Sequence, residues 1–182
     1  MTLTSRNPPS AAIDIMANHL TEVTVELFAA YGLSVRVSTS SPSSATAPDE
    51  QMGVAMIGYV GERVRGALVM IASETAVARW MEAAGASEGD LGDALGEFSN
   101  MLLGRLKGRL LSAGLPILLA TPTATLGNGL RLSIPPAEST WQSFDGPGWT
   151  VVTRLDATFE PGFAFTAAVG ERPAEAGEGI LF

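Results

Sequence analysis

The sequence predicts an α+β domain, an antiparallel-rich sheet with two long helices packed on it. Three observations carry that reading. Apolar residues recur at helical spacing over two long runs, near residues 11–31 and 90–113. The remaining apolar runs are short, strand-like and mostly joined by turn residues as hairpins. Hairpins with helices interspersed do not give the regular strand–helix alternation of a parallel, doubly wound sheet.

The elements follow in order. Residues 1–10, with Pro8-Pro9, read as a loose tail. From Ala11 to Tyr31 the residues Ile13, Met16, Leu20, Val23, Leu27, Phe28 and Tyr31 keep the helical period, and Gly32 is a natural stop. Leu33–Val37 alternates like a strand. Residues 38–51 are rich in Ser, Ala and Pro and hold no large apolar side chain, so they read as a loop that contributes nothing to a core. Gly53–Val60 and Val64–Ile71 are two strand-like runs joined at Gly61-Glu62-Arg63 as a hairpin. Ser73 can cap a short helix from about Glu74 to Ala84, with Gly85 ending it. Ser87 or Asp90 then starts the longest helix, which reaches about Ala113 before Gly114 and Pro116 stop it. Ile117–Leu126, Leu130–Ile134, Trp149–Ala157 and Gly162–Val169 read as further strands, the first two joined by a Gly127-Asn128-Gly129 turn. Residues 135–148 read as a second loop, and residues 171–182 as a fraying tail. A single domain is expected over residues 11–170.

Composition narrows the function classes. With 182 residues the chain suits one domain with a sizeable core, and 46% hydrophobic against 16% charged residues is a globular balance. The net charge of −8, with only 11 Lys+Arg spread along the chain, gives no clustered basic surface for a phosphate backbone, which argues against nucleic acid. There is no cysteine, so disulfides, thiolate zinc sites and cysteine nucleophiles are excluded. The most apolar stretch, around Leu102 to Ala120, is interrupted by Arg105, Lys107, Arg109 and Pro116 and cannot span a bilayer. The N-terminus lacks the basic-then-apolar pattern of a signal peptide, and a cytoplasmic location is expected.

The longest helix carries the most informative residues. Asp93, Glu97 and Asn100 fall within a narrow arc of one face, nearly opposite the core stripe Leu91, Leu95, Phe98, Leu102, Leu106 and Leu110. Two carboxylates and an amide thus project together from a rigid element. Gly96, Gly104 and Gly108 lie on or beside that outward face, each costing about 1 kcal/mol relative to Ala in a helix interior. Gly104 reads as a place where another protein's backbone can approach; Gly96 and Gly108 read as tolerated glycines in a chain that has 20 of them.

The pattern Asp93-x-x-x-Glu97-x-x-Asn100, followed about twenty residues later by Pro122 in ILLATPTATLG, resembles the CheC/CheX/FliY family of chemotaxis phosphatases, and more narrowly its CheX-like members. The run Asn-Met-Leu-Leu-Gly-Arg-Leu-Lys resembles the family's helix, with Gly104 one turn after Asn100. The likeness extends over residues 11–170. Only one Glu-x-x-Asn copy is present, where CheC-type members carry two, which points to the CheX side. Two segments, 38–51 and 135–148, are longer than the family needs.

The resemblance implies a CheC/CheX-like fold and hydrolysis of the aspartyl phosphate on a CheY-like response regulator. Such a phosphate is already activated and sits beside the receiver's own Mg²⁺, so the phosphatase needs no metal or cofactor of its own. Asn100 would hold the attacking water and Glu97 would pair with the receiver's lysine, with Asp93, Gly104 and Pro122 in support. It further implies a homodimer paired through sheets, for which the runs Thr150–Thr158 and Phe163–Val169 are expected to leave an edge. The rival is a non-catalytic binding or scaffold domain for receivers or flagellar switch proteins. Retention of both Glu97 and Asn100 favours the enzyme.

Each of these features also has a plainer reading. Outward polar residues are usually a solvated helix face. One-face carboxylates lack the apolar cleft that raises an acid's pKa for glycoside chemistry, and two carboxylates alone make a poor metal site. His19, the only histidine, reads as a surface residue, and Trp80, Trp141 and Trp149 as core or loop anchors. No phosphate-binding glycine motif follows a strand.

Overall fold

The structure, a computed structural model, describes residues 11–38, 51–86, 89–128, 130 and 138–165. Helix α1 spans Ala11–Ala30 and strand β1 Arg36–Ser38. Strands β2 (Met52–Val60) and β3 (Val64–Ser73) form the expected hairpin. Helix α2 is Glu74–Ala83 and α3 is Leu91–Ser112. Strands β4 (Leu118–Leu119), β5 (Thr123–Gly127), β6 (Glu138–Gly146) and β7 (Trp149–Phe159) follow.

Among the described residues these strands make one seven-stranded sheet in the order β1-β6-β7-β3-β2-β4, with β5 also on β2. Every pairing is antiparallel. The helices cover one face. Helix α3 lies over β2 and β5, α1 packs beside α3 and reaches β6, and α2 sits over β3 and β7. Ala55, Ile57, Tyr59, Leu68, Met70 and Leu155 from the sheet meet Leu20, Leu27, Phe28, Leu102 and Leu106 from the helices in the core. The α+β expectation with two long helices holds.

Local chemistry sets the helix boundaries. The Ser73 side chain accepts from Ala76 N and caps α2. Asp90 caps α3, its Oδ1 accepting from the main-chain N–H of Gly92 and of Asp93 at 2.7 and 3.0 Å. The alternative cap, Ser87, lies outside the described residues. Gly32, Gly85 and Gly114 each follow a helix with positive φ, the left-handed turn that glycine adopts without strain.

Several expectations need correction. Within the expected loop 135–148, Glu138–Gly146 is strand β6, paired along its length with β7 and turning at Pro147-Gly148, where Gly148 has φ 80°. A proline followed by a positive-φ glycine is the signature of a type II turn. The first strand is shorter than Leu33–Val37 and begins at Arg36. Ile117–Leu126 is not one continuous strand. Tyr59 stands opposite Leu119, but Met56 stands opposite Thr123, so Ile57 and Gly58 face three residues, Ala120, Thr121 and Pro122. That extra residue is a β-bulge, at a proline that has no N–H to give the ladder.

The expected edge strand is interior. Strand β7 pairs with β3 on one side and β6 on the other, so Thr150–Thr158 offers no free edge. Gly162–Phe165 is not strand; Phe163 stacks on Phe159 at 5.1 Å, with Arg63 over its ring. The tails 1–10 and 171–182, most of the loop 38–51, the Gly129 end of the proposed turn and the run from Arg131 to Ile134 lie outside the described residues.

Candidate functional site

Helix α3 brings Asp93, Glu97 and Asn100 to one exposed face, as its period predicts. Beneath them Leu95, Phe98, Leu102, Leu106 and Leu110 are buried, and Leu91 is half-buried. The turn carrying Glu97 and Asn100 is pinned from below by Phe98. Its ring centroid lies 5.0 Å from that of Phe28 and 4.8 Å, edge to face, from that of Trp80. Ser99, also buried, donates to the Leu95 carbonyl at 2.8 Å.

The three polar side chains are uncommitted. Neither Glu97 nor Asn100 engages a hydrogen-bond or ion-pair partner among the described residues, whereas Arg109 farther along the helix is tied to Glu26 of α1. Asp93 occupies the first turn of α3, where a carboxylate also favours the helix dipole. An acceptor, a carboxylate and an amide are thus held on a rigid support and offered outward.

Helix α3 approaches β5 along two of its glycines. A methyl on Gly92 would lie 4.0 Å from Leu126 Cδ1, and one on Gly96 would lie 3.9 Å from Ala124 Cβ. One helical turn therefore advances against two residues of β5. Gly104 is exposed with open space where a side chain would go, and so is Gly108.

Three sequence readings shift at this site. Gly96 does not lie on the outward face; it is buried against β5. His19 is only partly at the surface: its side chain is 28% exposed, with Nδ1 3.7 Å from Glu22. Trp80 and Trp149 are core residues, but Trp141 lies on β6, 40% exposed over Arg154. The sequence reading overlooked Gly53, whose β2 position receives Leu95 of α3. A lone glycine inside a strand was its available signal.

The described residues contain no group of three or more His, Cys, Asp or Glu placed to hold a metal ion, and no described helix is long and apolar enough to cross a membrane.

The fold is an antiparallel sheet bearing this long capped helix. It is similar to a CheC-like superfamily protein from Shewanella sp. PV-4 (TM-score 0.67, 17% identity, 79% of this chain and 97% of that one). Residues 54–144, half of the chain, match the family described as chemotaxis phosphatase CheX, and the protein belongs to that family. Chemotaxis protein CheX from Vibrio vulnificus superposes with a TM-score of 0.66 at 17% identity, over 79% of this chain and 99% of that one. A chain of the CheX–CheY–BeF3–Mg²⁺ complex from Borrelia burgdorferi does so with a TM-score of 0.60 at 14% identity, over 80% and 96%. No curated protein sequence matches the chain.

Proposed function

We propose that this protein accelerates hydrolysis of the aspartyl phosphate on a CheY-like response regulator. The observation that carries the reading is the pair Glu97 and Asn100, exposed almost one turn apart on α3 with no partner of their own among the described residues. Membership of the CheX family and the fold shared with the CheX of a CheX–CheY complex support it.

The chemistry asks little of the phosphatase. In an acyl phosphate the aspartate carboxylate is a good leaving group when water attacks phosphorus, and the receiver supplies the Mg²⁺ that neutralises charge on the phosphoryl oxygens. What remains is to hold one water in line with phosphorus. An amide suits that task, because its oxygen accepts from the water while its NH₂ donates to a phosphoryl oxygen. Asn100 is that residue. Glu97 pairs with the receiver's lysine, fixing the depth at which α3 enters. Asp93 supports the face as an acceptor, Gly104 clears space for the receiver's backbone, and Pro122 holds the bulge below.

The deciding experiment is the decay of phosphorylated receivers from the same genome, with wild-type protein and with Asn100→Ala. Wild type is expected to accelerate decay of at least one receiver, and Asn100→Ala to abolish that acceleration with circular dichroism unchanged, because an exposed side chain contributes little to stability. Glu97→Ala should mainly weaken docking. A receiver that binds but decays at its own rate with wild type would make the protein a scaffold; decay undiminished by Asn100→Ala would remove the water-holding role.

A further inference from the structure

We propose that Gly53 is a positioning residue for the α3 face, acting through Leu95; this rests on the role given above to Glu97 and Asn100. A methyl built on Gly53 would lie 2.6 Å from Leu95 Cδ2 and 3.0 Å from Leu126 Cδ2. Carbon atoms sit best about 3.5–4.0 Å apart, so the space over this glycine is already filled by the leucine that descends from the helix. Gly53 lies opposite Leu126 on β5 and Ala72 on β3, which close the hole on both sides.

Leu95 has little room to give way. It is 2% exposed. The cavity that it borders, with Phe28, Met70, Trp80 and Phe98, measures about 10 Å³. By contrast, Gly92 and Gly96 stand at ordinary contact distance from β5. The tight point under the first two turns of α3 is therefore Leu95 in the gap of Gly53. Leu95 precedes Glu97 by two residues and Asn100 by five. A glycine inside a strand is a local weakness, and here it sets the height of the helix turn that meets the receiver.

A steric exchange tests this. Gly53→Ala overfills the gap and Leu95→Val empties it, so each is expected to lower kcat for a CheY-like receiver labelled with acetyl phosphate. The expected loss is about ten- to a hundred-fold, the scale of a small misplacement at a reacting centre. Affinity for the same receiver loaded with BeF3⁻ and Mg²⁺ should change far less. The double variant, in which one methyl replaces the other, should recover most of the lost kcat. Independent effects would instead multiply, and a double variant slower than both singles overturns the proposal, as does a Gly53→Ala that turns over like wild type. If Gly53→Ala does not fold, the double variant against Leu95→Val decides: faster supports the seat, equal or slower overturns it. Read on the NMR shifts of the Glu97 and Asn100 amides, the cycle needs no receiver. Shifts displaced in a single variant and restored in the double support the seat; unmoved shifts overturn it. Failure of the phosphatase reading shows elsewhere, in a wild-type protein no faster than Asn100→Ala.

Discussion

The phenol of Tyr59 donates a 2.7 Å hydrogen bond to the main-chain carbonyl of Asp156, crossing over Gly66 to reach it. A methyl on Gly66 would fall 2.6 Å from the Tyr59 oxygen, so the glycine makes the crossing possible. One side chain thus ties β2 to β7 across β3, the three central strands. Burial chiefly, and the negative charge of Asp156 in addition, hold the Tyr59 pKa well above the ordinary tyrosine value of 10.0. The phenol stays a donor throughout the physiological range.

Tyr59→Phe should therefore cost about 1–2 kcal/mol, the loss of a buried hydrogen bond whose acceptor stays behind. The pH dependence has a definite sign. Because the folded-state pKa is raised, the tyrosine's contribution is complete below the unfolded value and declines as pH climbs above it toward the folded one. Urea unfolding at pH 8 and pH 11 should show the wild-type advantage over Tyr59→Phe shrinking at the higher pH. An advantage that grows there would contradict the burial argument.

Two glycines of α3 should respond in opposite ways. Gly96 faces β5, and a methyl on it would meet Ala124 Cβ at 3.9 Å, an ordinary contact. Gly96→Ala should raise stability by about 0.5–1 kcal/mol, the helix-propensity difference, and leave dephosphorylation intact. Gly104→Ala should raise stability similarly, since nothing lies within 4 Å, yet weaken receiver binding by filling the approach. Urea midpoints and titration with a BeF3⁻-loaded receiver measure both. Equal binding by the two variants would remove Gly104 from the docking surface.

Much of this molecule was legible in the sequence, and the losses have physical causes. The helical period placed Asp93, Glu97 and Asn100 outward correctly, because burial of Leu95, Phe98 and Leu102 fixes the rotation of the helix. It failed for Gly96, because β5 covers the flank of α3 beside the core stripe, a contact the period does not show. Strand β6 was missed because Phe144 is its sole fully buried large apolar residue, while Trp141 faces outward and is 40% exposed. The bulge at Ala120–Pro122 depends on register against β2, and the seat of Leu95 on Gly53 depends on two elements meeting. Neither relation is local, so neither leaves a pattern in one stretch of chain.

The phosphatase reading assigns the metal and the phosphorylated aspartate to the receiver. Small phosphate monoesters such as p-nitrophenyl phosphate should then turn over negligibly, with or without added Mg²⁺. Among the described residues no acidic or histidine cluster stands ready to hold that metal, and Asn100 can orient a water without making it more nucleophilic. Robust phosphate release from a monoester by the purified protein would mean a self-contained hydrolase.

Assembly is the remaining expectation, and its original basis is gone. The homodimer implied by family resemblance rests on an edge near Thr150–Thr158 and Phe163–Val169, but β7 lies in the middle of the sheet and Phe163–Phe165 is not strand. We expect the contact at a different surface. Val60 of β2 and Leu118 of β4 stand directly opposite one another, 53% and 69% exposed. Strand β4 pairs only with β2 among the described residues, so its outer side borders no described strand. Exposed apolar side chains beside a sheet margin invite pairing, and no charge separates these two. Light scattering at micromolar concentration should give about twice the 18.9 kDa chain mass, and Leu118→Lys should return it to the single-chain value. A wild-type mass of 18.9 kDa would rule the dimer out. A dimer untouched by Leu118→Lys would place the interface elsewhere. Neither result bears on the proposed phosphatase face, because Asp93, Glu97 and Asn100 all come from one helix of one chain.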